Sequence, residues 1–192
     1  ATGDYIGFVD SDDFIAPDMY DDMVTIVQND DADMVVCNIS YIDGDGNKIS
    51  NYRSAKPVPK TAITGKQYVT DLCKEYNSTL VVAWNKLYRR KLFEGIRYPD
   101  GRINEDEAVI HRITHKCGKI IFTPKAYYYY RQQPTSIMNK SFSAKRFDSI
   151  FADIDRIKLL EENNYETDVV MNCKMFLYND FVTTLKAVDL SE

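Results

Sequence analysis

Residues 5–13 read Tyr5-Ile6-Gly7-Phe8-Val9-Asp10-Ser11-Asp12-Asp13, an apolar run that breaks off into acid. A short continuous apolar stretch of this kind is the mark of a buried strand whose carboxyl end opens onto solvent. In open α/β sheets ligands bind beyond the carboxyl ends of strands, and clustered carboxylates there can hold a hard divalent cation through oxygen. The bland alternative is a solvated acidic turn in which Ser11 or Asp13 acts as a cap.

Outward from this stretch, Pro17 suits the first turn of a helix. Met19, Met23, Val24 and Val27 fall on one helical face through about Asn29. Met34 to Ile42 reads as a strand, Asp43 to Asn47 as a turn, and Lys48 to Tyr52 as the returning arm of a hairpin. An EF-hand would need Gly at Lys48 and Glu at Ser54, so calcium binding in that loop is rejected. Gly65 to Tyr76 is predicted helical, and Leu80 to Tyr88 is an apolar and aromatic stretch leading into Arg89, Arg90 and Lys91. Asn104 and Glu107 form a capping-box pattern before the stripe Val109, Ile110, Ile113 and Cys117. Ile120 to Phe122 and Ala126 to Tyr130 are predicted as two strands joined at Pro124. From about Ser143 the pattern is helical only, with apolar positions Phe147, Ile150, Phe151, Ile154 and Ile157, then Val169 to Leu185. The expected fold is α/β over residues 1–140, followed by a carboxyl-terminal helical pair over 141–192.

Composition narrows the functional classes. The 192 residues are 44% hydrophobic, enough for one domain with a core and a helical appendage. With 29 acidic against 24 basic residues and no long Lys/Arg block, nucleic acid is not an expected partner. The four cysteines, Cys37, Cys73, Cys117 and Cys173, form no C-x-x-C pair and read as reduced core residues. No apolar run approaches the roughly 18 residues of a membrane span, and no signal-peptide layout is present, so a cytoplasmic location is expected.

A second acidic cluster, Asn104-Glu105-Asp106-Glu107, opens a predicted helix. Acids in a first turn are favoured by the helix dipole, which is the structural explanation; the functional one makes an acid here a general base. The dipole lowers a carboxylate pKa while burial and adjacent acids raise it, and the sequence leaves that balance open. His111 and His115, four residues apart, have a metal-gripping spacing but no third ligand in view. Tyr127 to Tyr130 is read as strand, with alternate rings on opposite faces.

The residues from Gly3 to Tyr20, with Asp10, Asp12 and Asp13, resemble the D-x-D-D segment of bacterial family 2 glycosyltransferases. Trp84-Asn85-Lys86-Leu87-Tyr88, Phe93, Tyr98, Pro99 and Gly101, with Glu105 and Asp106, are similar to a second block of that family. Tyr129, Tyr130 and Arg131 with Ser136 and Ile137 are similar to its Y-R-x-x-x-x-S-I segment. The resemblance implies a partial GT-A, Rossmann-like sheet with flanking helices and inverting transfer from a nucleotide-sugar donor to a glycan or lipid-linked acceptor. By motif position, Asp10 contacts the ribose side of the donor. Asp12, assisted by Asp13, binds the Mg or Mn ion on the diphosphate. Asp106 is then the base, with Glu105 orienting it or binding the acceptor. Lys86 and Arg131 are candidates for phosphate contacts, and Trp84 and Tyr129 for stacking on a sugar, although Trp84 can equally be a core aromatic.

Family members place a P-V-Y-N type strand and several β-α units before the D-x-D, which here arrives at Asp10. The chain is therefore expected to be the carboxyl-side portion, lacking the amino-terminal nucleotide-binding half. The strand at Tyr5 to Val9 should lack a neighbour, so self-association and little or no activity are expected of this piece. The last helix is taken to pack on the domain, with another subunit or peripheral contact at the inner face of a membrane as alternatives. Two other functional classes are open to the same residues. One is a haloacid-dehalogenase-like phosphatase with Asp10 as nucleophile, disfavoured by Phe14 where that family carries Thr or Val. The other is a noncatalytic sugar-binding or scaffolding module.

Overall fold

Nine residues of uninterrupted apolar character make β3 (Met34–Ile42) the centre of the sheet, buried along nearly its whole length. The structure, a computed structural model, describes residues 2–49, 60–74, 77–132 and 147–186. In chain order the strands are β1 (Tyr5–Gly7), β2 (Phe14–Ile15), β3, β4 (Thr61–Ile63), β5 (Lys86–Arg89) and β6 (Ile120–Arg131). The helices are α1 (Met19–Asp30), α2 (Gly65–Leu72), α3 (Ser78–Val81), α4 (Glu105–His115), α5 (Asp148–Glu162) and α6 (Thr167–Lys186). The sheet runs β1-β5-β3-β6-β2, with β4 also on β6. β3 and β6 are parallel and the other pairings antiparallel.

Strand alternation divides the core into two layers. Met34 and Val36 face Tyr68, Ile110 and Ile113 of α2 and α4. Val35 and Cys37 face Met19, Met23 and Val27, the predicted stripe of α1. A third cluster, Val69, Cys73, Ile157, Leu160, Tyr165, Val169 and Cys173, joins the helical pair to α2. All four cysteines are buried and free. Close packing of α2 on α4 requires Gly65, because a Cβ there would sit 2.0 Å from the Thr114 carbonyl oxygen.

Several local expectations change. Leu80 to Tyr88 divides into α3 and β5, and the helix predicted to Tyr76 is α2, ending at Leu72. The two strands expected around Pro124 are one strand, β6. Its register on β3 slips so that Cys37 faces Thr123 but Asn38 faces Ala126. Pro124 and Lys125 thus form a bulge, where proline's missing N–H costs no ladder bond, and Asn38 Nδ2 donates to the Pro124 carbonyl at 2.7 Å. The expected capping box is absent: Asn104 adopts a left-handed conformation (φ 57°, ψ 37°) without a side-chain cap, and Glu107 pairs with Arg156. Within the predicted helical stripes Phe151, Ile154 and Leu185 are exposed, and α6 buries Val169, Cys173 and Thr184. The hairpin arm is described only to Ile49, whose N–H donates to Tyr41. Its remainder, Ser136, Ile137 and the boundary near Lys140 lie outside the described residues. Among the described residues no helix is long and apolar enough to cross a membrane.

Candidate active site

The acidic turn follows β1 and is closed by an Asp13 N–H to Asp10 carbonyl bond of 3.2 Å. A residue the sequence reading did not single out organises it. The hydroxyl of Tyr128, on β6, accepts the Asp10 N–H at 3.0 Å and donates to Asp13 Oδ2 at 2.9 Å. Burial and the Asp13 charge hold the Tyr128 phenol well above its usual pKa, so its proton stays on and points at Asp13. Asp13 Oδ1 takes the Arg131 N–H at 2.7 Å, so both of its oxygens are engaged in fixing the turn. Arg131 adds bonds from its guanidinium to the carbonyls of Asp12 (3.1 Å) and Gly44 (2.6 Å). Its side chain thereby braces the loop from below.

The carboxylates of Asp10 and Asp12, by contrast, carry no hydrogen bond among the described residues and reach solvent. Protein packed against Asp10 raises its pKa, and the charges of Asp13, Asp12 and Glu105 raise it further. Among the described residues no three His, Cys, Asp or Glu side chains converge as a metal cage. A Mg-type ion does not need one, since it takes one or two carboxylates and fills its octahedron with phosphate oxygens and water. Two unclaimed hard oxygen donors on one turn fit such an ion.

The second acid stands at the start of α4. Asp106 Oδ2 accepts the Ala83 N–H at 3.0 Å. Burial pushes this carboxyl up to about 6, aided by the negative charges of Glu105 and Asp10 and opposed by Ala83 N–H and Lys86. The balance left open by the sequence is thus decided in favour of burial. Asp10 feels Glu105 and Asp106 feels Asp10, which places the acidic turn and the Glu105–Asp106 pair in one electrostatic neighbourhood.

The segment between them is built from the Trp84 to Tyr88 block. Lys86 is fully buried, and its ammonium donates to Thr79 O at 2.9 Å, Asn85 Oδ1 at 2.7 Å and Val82 O. Burial lowers its pKa to about 7 against the pull of Asp106. So placed, Lys86 cannot reach a phosphate in solvent; it pins the turn that presents Ala83 N–H. Asn85 Nδ2 bonds Cys37 O at 3.0 Å and Thr79 O at 3.2 Å, and Tyr88 Oη donates to Ala83 O at 3.2 Å. Trp84 is 7% exposed and stacks on Tyr128 (4.1 Å) and Tyr130 (5.2 Å), the packing of a core aromatic rather than a sugar platform. Tyr129 lies half-buried with Phe14 stacked on it at 4.7 Å and the Lys48 ammonium 5.8 Å from its centroid. His111 and His115 turn to different partners, Asp155 and Tyr165 respectively.

Comparison with known proteins bears on the family and the fold. The sequence matches the model of "Glycosyl transferase family 2" over residues 1–97. It is 30% identical to "Glycosyltransferase GlyG" of Streptococcus pneumoniae over 74% of this chain and 48% of that protein. "Glycosyltransferase GlyA" of the same organism is 28% identical over 85% of this chain and 24% of its own length. The chain therefore spans about half of the first relative and about a quarter of the second. The crystal structure of S. aureus TarS 1-349 in complex with UDP-GlcNAc superposes with a TM-score of 0.70 at 17% identity. That match covers 95% of this chain and 50% of TarS 1-349, and shows the shared GT-A-like fold. On the family match over half of its length, this chain belongs to glycosyl transferase family 2.

Proposed function

We propose that this chain supplies the catalytic side of an inverting sugar transfer from a nucleotide-activated donor to a hydroxyl of a glycan or lipid-linked acceptor. The observation that carries the reading is the raised, half-buried carboxyl of Asp106 beside the unclaimed carboxylates of the Asp10–Asp13 turn. Asp12 is the residue to hold Mg or Mn, and Asp10 lies on the ribose side of the donor. When bound, the ion neutralises the departing diphosphate. Asp106 takes the proton of the acceptor hydroxyl as that oxygen bonds to the anomeric carbon and the bond to the diphosphate breaks. A carboxylate with a pKa near 6 is ionised at neutral pH yet basic enough to accept the proton in the transition state. Glu105 raises that basicity through its charge. Tyr128, Asp13 and Arg131 hold the turn, and Lys86 holds the segment that carries Ala83.

A noncatalytic sugar-binding module would have no use for a basic carboxyl opposite the donor turn, which favours transfer over that alternative. Calorimetric titration of the chain with Mn and UDP tests the reading. Metal-dependent binding that falls at least tenfold in Asp12→Ala and survives in Asp106→Asn is expected. Binding indifferent to Asp12, or a phosphoryl group trapped on Asp10, would overturn it.

A further inference from the structure

The appended helix α5 grips α4 on both sides of the acid pair. Asp148, in the first turn of α5, accepts the N–H of Ile103 through Oδ2 at 3.0 Å. Arg156, two turns later on the same helix, pairs with Glu107. Between the gripped positions lie Asn104, Glu105 and Asp106. The next turn of α4 is tied as well: His111 Nε2 meets Asp155 Oδ2 at 2.9 Å, and the Arg112 guanidinium pairs with the same carboxylate. Glu107 and His111, four residues apart, share the face of α4 that meets α5, and Glu105 lies on the opposite side of the helix.

Two features mark these contacts as specific. Arg156 is 4% exposed and held between Glu107 and Asp153, the latter at 3.2 Å, while its Nε has no partner. Burying such a charge is costly unless its partners are fixed in place. Asn104 stands at φ 57°, ψ 37°, a left-handed conformation uncommon outside glycine and one that Asn adopts more readily than most residues. The Asp148 bond to Ile103 is the contact adjacent to that residue.

We infer that Asp148 and Arg156 are positioning residues: the carboxyl-terminal helical pair is the splint that holds Asp106 against Ala83 N–H. The inference rests on the transferase reading for what Asp106 then does, but the splint itself is measured without turnover. Glu105, Lys86 and Asp10 are the charged groups that act most strongly on Asp106, so an effect of Asp148 or Arg156 passes chiefly through position.

The test is the titration midpoint of the Asp106 carboxyl, followed by 13C NMR on the full chain, with amide exchange at Ala83 and Ile103. Arg156→Met would leave Glu107 and Asp153 without their cation and risks the fold, so the less buried end of the splint, Asp148, carries the experiment. In Asp148→Ala the midpoint should fall, because water reaching the loosened turn relieves burial, the largest cause of its elevation, and outweighs the opposite effect of losing the Ala83 N–H bond, and Ala83 should lose protection. Asp148→Asn, which keeps an acceptor oxygen, should restore both. Mn and UDP binding should be unchanged in either variant, because the acidic turn lies on other elements. An unmoved midpoint and unmoved Ala83 protection in Asp148→Ala would overturn the inference whatever the outcome at Asp12. Loss of Mn and UDP binding in Asp12→Ala bears on the transferase reading alone.

Discussion

The indole of Trp84 lies flat against the ring of Tyr128, centroids 4.1 Å apart at 25°, and this stack is the bridge between the two acid clusters. On one side Tyr128 holds Asp10 and Asp13. On the other, Ala83, the residue before Trp84, holds Asp106. The packing between β6 and the segment before β5 thus ties the hydrogen-bonded turn of Asp10 and Asp13 to the one that holds Asp106.

Tyr128→Phe keeps the stack but strands the Asp10 N–H and removes a donor from Asp13. Leaving such groups unsatisfied costs about 1–3 kcal/mol, read as a lower Tm. Affinity for Mn and UDP should fall several-fold even though the phenol touches neither. Unchanged affinity would mean that the turn organises itself.

The midpoint of Asp106 sets the pH behaviour. In the unfolded chain this carboxyl titrates near 3.8, and in the fold near 6. The folded form therefore binds the proton more tightly, and its contribution to stability is fully present below about pH 4 and lost as pH rises through 6. Activity in a competent longer protein should move the other way, rising through about pH 6 to a plateau as Asp106 ionises. Asp106→Asn should abolish turnover and remove its part of the stability change between pH 4 and 7, measured by urea unfolding across that range.

Replacing Lys86 tests whether it is a support. Lys86→Met removes the donors to Thr79, Val82 and Asn85, for an expected loss on the order of 3 kcal/mol. The Asp106 midpoint should also rise, since Lys86 lowers it. A stable Lys86→Met protein with weakened UDP binding would instead make Lys86 a phosphate contact.

On its outer side β1 has no strand partner among the described residues, and its Tyr5 and Ile6 line a groove of about 750 Å³ with Phe8, Phe93, Arg97 and Tyr98. We expect this chain by itself to associate through the β1 edge in a concentration-dependent way, with little or no turnover. A lysine introduced at Ile6 should shift it toward monomer in gel filtration. A monomer at all concentrations would contradict the expectation.

What the sequence disclosed follows from local pattern. The face of α1, the long run of β3 and the body of α4 are all written in neighbouring residues, whereas the buried strand expected over Tyr5 to Val9 is the short, half-buried β1 at the sheet edge, ending at Gly7 with Val9 45% exposed. What it concealed depends on partners far along the chain. Four consecutive tyrosines give alternation but not which ring meets the acidic turn, so Tyr128 went unnoticed. Asn104 and Glu107 spell a capping box, yet Arg156 offers Glu107 a full charge from another helix. Lys86 looks like a free cation until the turn at Thr79 to Asn85 closes over it. Pro124 suggests a break until Asn38, on the neighbouring strand, satisfies its carbonyl.

The central claim is that the Asp10–Asp13 turn and Asp106 look onto one site. Paramagnetic broadening by Mn in the presence of UDP measures this directly on the labelled chain. The account predicts broadening of the Ala83 amide and the Asp106 carboxyl together with the acidic turn, all of it lost in Asp12→Ala. Broadening confined to the turn, with Ala83 and Asp106 untouched while Mn and UDP are bound, would contradict it.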